Sequence, residues 1–125
     1  MTGQLTAVLG ALIFLHFKHF LCDFPFQSDY QVRSKRVYGH PGGIFHAGLH
    51  ALATTPVFFL LRPSLAFAIA IVAVEFLLHY HIDWAKENIL AKWNWRLGDR
   101  GYWSTFGFDQ MLHNLTYVGI IAIAS

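Results

Sequence analysis

Eight side chains in the sequence have the types and the spacing that gripping a metal ion requires. His19 and Asp23, His46 and His50, His79 and Asp83, and Asp109 and His113 each stand four residues apart. On a helix, residues i and i+4 lie one above the other with Cβ atoms roughly 5–6 Å apart, so both side chains can reach one ion, as in the HExxH helix of metalloproteases. Eight histidines and five aspartates scattered over 125 positions would give roughly 0.6 His–Asp pairs at this separation. Three are present, beside the His–His pair. Glu75 lies one turn before His79, roughly 6 Å deeper along the axis. It is read as a carboxylate holding a ligand from behind, ahead of a proton carrier or a protonated core residue.

Imidazole nitrogen and carboxylate oxygen without thiolate suit zinc, iron, manganese or cobalt. Cys22 is the only cysteine, and it falls on another side of its helix. Five histidines and three carboxylates exceed the three or four protein ligands that one zinc ordinarily takes. Either two ions share the site, or some aspartates orient histidines from behind. The expected cofactor is a divalent transition metal, zinc first with iron or manganese as alternatives, in one or two copies. Haem wants bare imidazoles facing each other, and an aspartate one turn from most of these argues against it.

Composition says what elements must carry such a site. Hydrophobic residues make up 55% of the chain and charged residues 13%, about half the charged share of a soluble domain. That excludes an ordinary soluble fold and a disordered chain alike. One cysteine excludes a disulfide scaffold, and a net charge of +2 offers no basic surface for nucleic acid. Four apolar stretches, about 5–21, 44–61, 65–82 and 108–124, approach the length needed to cross roughly 30 Å of hydrocarbon. The first has no basic residue before it and no small-residue cleavage pattern after it, so it reads as a helix and not a secretory signal. Pro56 should kink the second span.

The expected fold is all-α: residues 1–125 form a single transmembrane domain, an up-down-up-down four-helix bundle. The ends of spans one and three then meet the starts of two and four, so all four pairs fall at one depth. A lone ionisable pair at a helix end reads as side chains reaching water; four at one depth read as a site. Seven of the nine Lys and Arg residues fall in or beside the loops after spans one and three. The positive-inside rule puts those loops in the cytoplasm and both termini outside. Ala85–Arg96 reads as a separate short interfacial helix with Ile89, Leu90 and Trp93 on its apolar side. His16, His40 and His81 lack a partner at helical spacing and read as interfacial or packing residues.

The succession His19-x3-Asp23-Phe24-x2-Gln27, Lys35, His46-x3-His50, His79-x3-Asp83-Trp84 with Lys86, and Asp109-Gln110-x2-His113 resembles the DUF3307 family of small bacterial and phage membrane proteins. More distantly it is similar to the YdjM-type membrane-bound predicted metal-dependent hydrolases. The likeness spans nearly the whole chain; Pro25, His16, His81 and a short fourth span depart from it. It implies a multi-pass protein of the bacterial inner membrane, and it adds hydrolysis as a reaction class.

The expected function is therefore a metal-dependent hydrolase at the cytoplasmic face, cutting an ester or phosphoester. A metal with one open position lowers the pKa of its water toward 7. Asp109 or Asp23 would act as general base. Lys35 and Lys86 would hold an anionic group of the substrate or merely enforce topology, and Gln27 and Gln110 would donate to a developing oxyanion. The expected partners are membrane lipid and a small anionic or amphiphilic substrate, with a homo-oligomer open. The rival readings are a metal-binding transporter or sensor and a structural metal that staples the helices. The polar groups sit at one end of the spans instead of near the midplane, which favours an enzyme or binder over a transporter.

Overall fold

The computed structural model describes residues 2–125. Among these the regular structure is entirely helical: α1 (Thr2–Asp23), α2 (Asp29–Ser34), α3 (Pro41–Ala53), a 3-10 turn (Thr55–Val57), α4 (Phe58–Leu61), α5 (Leu65–Trp93) and α6 (Arg100–Ala124). The starts are capped as their sequences require. Ser28 and Ser64 accept from the N–H groups of Gln31 and Phe67. His40 caps α3 with its own ring, Nδ1 accepting from the Gly42 N–H, and Pro41 takes the first position, where a missing N–H costs nothing. Pro56 ends α3 by removing a helix donor, and the chain passes through the 3-10 turn into α4.

The separate interfacial helix expected over Ala85–Arg96 does not exist. Its residues up to Trp93 are the last turns of α5, which runs unbroken for 29 residues. No glycine or proline interrupts it, and Ala85-Lys86-Glu87 and Leu90-Ala91-Lys92 are strong helix formers. The helix stops only where Asn94 adopts the left-handed conformation at φ 52°. At 1.5 Å per residue α5 is about 43 Å long. The first span likewise begins at Thr2, the second at Pro41, and the last helix at Arg100, eight residues before the expected start.

Three segments are long and apolar enough to cross a membrane: Thr2–Asp23, Pro41–Leu61 and Leu65–Trp93. That is the mark of a membrane protein. Helix α6 is not among them, because Arg100, Asp109, Gln110, His113 and Asn114 make its first fifteen residues too polar. The outer surface agrees with an apolar surrounding: Phe59, Leu65 and Ile13 are exposed by 84, 76 and 69%, the reverse of a water-soluble surface.

Helix α1 packs against α3, α4 and α6, and α5 packs against α3 and α6, so these elements enclose one interior. Each turns a stripe inward at helical spacing. The stripes read Ala11, Leu15, Lys18, His19 and Cys22 on α1, so Cys22 turns inward beside His19 and not to another side as expected, and Ile71, Glu75, His79 and Asp83 on α5. On α6 the stripe is Asp109, His113, Tyr117, Ile120 and Ala124. Every stripe is apolar at one end and polar at the other. The apolar ends meet as a core of Ala11, Leu15, Val57, Ile71, Tyr117, Ile120, Ile121 and Ala124, and the polar ends meet beyond it.

Candidate metal centre

Ligand-type atoms of Asp23, His46, His50 and His79 all lie within 4.8 Å of one another, and so do those of His79, Asp83 and His113. His79 belongs to both groups. The rings of His50, His79 and His113 form a row, with centroids 3.8 and 4.2 Å apart. The hydrogen bonds decide which ring edges are free. His50 donates from Nε2 to Asp23 Oδ1 at 2.8 Å, which leaves Nδ1 buried without a partner. His46 donates from Nδ1 to Gln31 Oε1 at 3.0 Å, so its lone pair is on Nε2. That Nε2 lies 3.2 Å from Asp23 Oδ1 and 3.3 Å from Asp83 Oδ2 and hydrogen-bonds to neither.

The same confrontation recurs across the cluster. His79 Nε2 stands 3.4 Å from Asp83 Oδ2, and His113 Nε2 stands 3.4 Å from Asp83 Oδ1 and 3.5 Å from Asp109 Oδ1. The three Nε2 atoms, His50 Nδ1 and Asp109 Oδ1 are all buried without a hydrogen-bond partner. A buried polar group left in that state costs about 1–3 kcal/mol. Five of them in one cluster is a strong departure from native practice unless a cation accepts their lone pairs. Charge points the same way. Asp23, Asp83 and Asp109 bring three carboxylates, and Lys35 Nζ answers one of them at 2.9 Å from Asp83 Oδ2. The two remaining negative charges match a divalent ion. Nitrogen and oxygen donors without thiolate suit zinc, iron or manganese.

A second polar layer lies between this cluster and the apolar core. Lys18 Nζ donates to Glu75 Oε1 at 2.6 Å, to the His50 carbonyl at 2.9 Å and to Thr54 Oγ1 at 3.0 Å, with the Tyr117 ring 4.8 Å away. The His50 carbonyl lacks its helical N–H donor because the Thr54 N–H tightens onto Ala51 at the end of α3, and besides Lys18 it accepts the Thr54 hydroxyl at 3.4 Å. Lys18 thus caps a helix C-terminus inside the protein, where a cation is favoured. It ties α1, α3 and α5 together directly beneath the ligands.

The eight paired residues all reach one neighbourhood, but not in equal parts. His19 has both ring nitrogens engaged: Nε2 faces the acceptors Asp23 Oδ2 at 3.0 Å and Gln110 Oε1 at 3.1 Å, and Nδ1 meets the Tyr117 hydroxyl at 2.7 Å. It therefore orients Asp23 and has no lone pair left for an ion. Gln110 links His19 to Asp109, donating to Asp109 Oδ2 at 3.0 Å. Gln27 donates to the Asp23 carbonyl and closes the end of α1. Lys35 is buried in the cluster itself, whereas Lys86 lies at its edge, paired with Glu87 at 2.8 Å. Glu75 belongs to the layer below, held by Lys18. Of the unpaired histidines, His40 is a helix cap, and His81 bonds the Leu77 carbonyl and the Tyr38 hydroxyl.

Spacing alone does not reveal Lys18, Gln31 or Thr54. Tyr117 had a signal, since it extends Asp109 and His113 by one more interval of four. Lys18 had one as well: a lysine within an apolar span calls for a buried partner. Gln31 had none. It sits on the six-residue α2, and only the packing of α2 on α3 brings it to His46. That approach depends on Gly42, where a Cβ would collide with Ser34 and Tyr30.

A family model described as a protein of unknown function, DUF3307, matches residues 11–125. No curated protein and no solved structure matches the chain.

Proposed function

The chain belongs to the DUF3307 family, and from that premise we propose that it is a membrane-embedded, metal-dependent hydrolase acting on an ester or phosphoester at the cytoplasmic face. The observation that carries the metal is the set of buried, unpartnered ring nitrogens and carboxylate oxygens at the meeting point of the helices. His46, His50, His79, Asp83 and His113 would hold the ion or ions, zinc first with iron or manganese as alternatives. Asp23 lies between His46 and His50 as a further ligand. When bound, such a metal supplies Lewis-acid polarisation and water of lowered pKa.

This chain's own residues do the rest. Asp109 is the better base of the two aspartates, because Asp23 is surrounded by three histidines while Asp109 Oδ1 has no hydrogen bond and the residue lines a cavity at the edge of the site. Gln110 fixes the other Asp109 oxygen and so aims the carboxylate. Lys86, at the same cavity, would hold the anionic part of the substrate. Lys35 acts within the cluster, limiting its negative charge.

We further propose that α6 crosses the membrane with the three apolar segments, completing a four-helix bundle. Its second half contributes Tyr117, Ile120, Ile121 and Ala124 to the shared core. The positive-inside rule places the site in the inner membrane's cytoplasmic half with both termini outside. The near-complete burial of the ligands also favours a second reading, a structural metal that staples four helices.

Elemental analysis of the detergent-purified chain, followed by a hydrolysis screen of the metal-loaded protein on phospholipids and simple phosphoesters, separates the readings. At least one transition metal per chain and turnover lost in Asp109→Asn is the expected result. Metal without turnover leaves the structural staple, and no metal sinks both readings.

A further inference from the structure

Helices α1, α3, α5 and α6 wall the metal centre from the sides. At its polar end the wall is of another kind: the chain from residue 24 to residue 40, which joins α1 to α3 and contains α2. This segment has apolar side chains enough for a small core, yet it builds none. Phe24, Phe26, Tyr30, Val32, Val37 and Tyr38 are all exposed, and its buried residues are Gln31, Ser34 and Lys35, all polar. The segment is therefore held to the bundle by polar contacts.

Those contacts fall in two sets. The inner set reaches the cluster: Gln31 Oε1 accepts from His46 Nδ1 at 3.0 Å, and Lys35 Nζ pairs with Asp83 Oδ2 at 2.9 Å. The outer set runs along α5, away from the ligands. The Gly39 N–H donates to the Tyr80 hydroxyl at 2.6 Å, and Asn88 Nδ2 donates to the Arg36 carbonyl at 3.1 Å. The Tyr38 hydroxyl donates to His81 Nε2 at 3.0 Å, since His81 Nδ1 already donates to the Leu77 carbonyl. A segment without buried apolar side chains, tied by partly exposed hydrogen bonds, opens at far lower cost than helices that share a core, as α1, α5 and α6 do. Gly39, at φ 78°, supplies a turn that only glycine makes without strain. Asp23, where the segment leaves α1, has the most exposed side chain of the eight paired residues, at 11%, and the others are sealed more tightly.

We propose that residues 24–40 are the lid of the metal centre. The segment lifts from α5 to admit or release the ion at the polar end, and closes by re-forming the Gln31–His46 and Lys35–Asp83 contacts. Closure also finishes the site, because Gln31 fixes the proton of His46 on Nδ1 only when the lid is down. The inference rests on the metal centre of the reading above and not on hydrolysis.

A lid has a kinetic signature that a ligand-orienting residue lacks. If it is closed most of the time, weakening an outer tie raises the open population and speeds entry and exit alike, with Kd left where it was. Tyr80→Phe/Asn88→Ala removes two outer ties and touches no ligand. In the detergent-purified full chain, zinc uptake by the metal-free protein and zinc loss to excess EDTA should both accelerate about tenfold, the equivalent of about 1.4 kcal/mol, at unchanged Kd. Thr116→Val, which removes a hydrogen bond to the Leu112 carbonyl on α6, should move neither rate. Hydrogen exchange of the metal-free protein reads the lid without zinc: amides 29–39 should exchange at least about tenfold faster than amides 71–83 of α5, and faster again in the double variant. Both rates unmoved in the double variant, or amides 29–39 as protected as those of α5, overturns the lid and leaves the metal centre standing. Faster loss with a Kd weakened to match also overturns it, because the outer ties would then shape the site instead of gating it. A chain that binds no zinc overturns the lid and the metal centre together. Gated exchange without turnover in the hydrolysis screen keeps the lid and removes the hydrolase; turnover with ungated exchange does the reverse.

Discussion

Lys18 is the residue with the largest predicted effect on stability. Its ammonium is buried, and all three hydrogen bonds it makes are to buried groups. Lys18→Met leaves Glu75 as an uncompensated buried carboxylate, and breaking a buried pair from one side costs about 3–5 kcal/mol. Thermal melting in detergent should show a large drop for Lys18→Met and recovery of much of it in Lys18→Met/Glu75→Leu, which removes both charges. A single variant as stable as wild type would mean the pair holds nothing. Gln31 predicts a different outcome. Its side-chain oxygen keeps the proton of His46 on Nδ1 and so presents Nε2 to the cluster. Gln31→Leu should weaken metal binding by about 10–100-fold with little change in melting of the metal-free protein, as read by chelator competition. If metal affinity is unchanged, His46 is not oriented in this way.

At the scale of elements, the placement of α2 on α3 is the step most open to attack. Gly42 is where the two come closest, and the added methyl of Gly42→Ala would strike Ser34 and Tyr30. The short α2 is held mainly by that contact, by its Ser28 cap and by the Lys35–Asp83 pair just beyond its end. Gly42→Ala should therefore displace α2, take Gln31 from His46, and lower metal affinity much as Gln31→Leu does. Gly48→Ala, on the same helix with open space around it, should leave affinity where it was. Matching affinities for the two variants would show that α2 moves freely without cost to the site. The continuity of α5 also belongs to this scale. Asp83 and Lys86 are held on one rigid rod, so the cluster carboxylate of α5 and the lysine at the cluster's edge keep a fixed separation of three residues.

For the molecule as a whole, orientation and metal linkage are the testable properties. Arg33 and Arg36 lie between α1 and α3, and Lys92, Arg96 and Arg100 lie between Asp83 of α5 and Asp109 of α6, all at the site end of the bundle, while Lys35 is committed to Asp83 and adds no free surface charge. The positive-inside rule predicts that this end faces the cytoplasm. A reporter active only in the cytoplasm, fused after Ser125, should stay silent; strong signal would move the site to the opposite leaflet. An ion that binds only the folded state stabilises it by about 2.7 kcal/mol at a hundredfold excess over its Kd. Excess chelator should accordingly lower the melting temperature of the wild type, and have a much smaller effect on His46→Ala/His50→Ala. Identical melting with and without chelator would contradict a metal held across the helices.

The sequence by itself determined the four pairs at spacing four and a departure from straight helix at Pro56. These are local properties: one helix turn relates Asp109 to His113 whatever lies beside them, and a proline lacks its donor in any context. The run from Ala85 to Trp93 was legible in the same way, as helix formers without a breaker, although its polar composition suggested a separate surface helix. Only the tertiary structure decided the partners. Lys18 meets Glu75 across 57 residues and His46 meets Gln31 across 15, and no periodicity encodes either contact. Which ring nitrogen of each histidine is free, and why His19 is not a ligand while His46 can be one, also depend on those partners. The rotation and height of each helix relative to its neighbours set them, and these follow from packing summed over whole interfaces and not from any one segment.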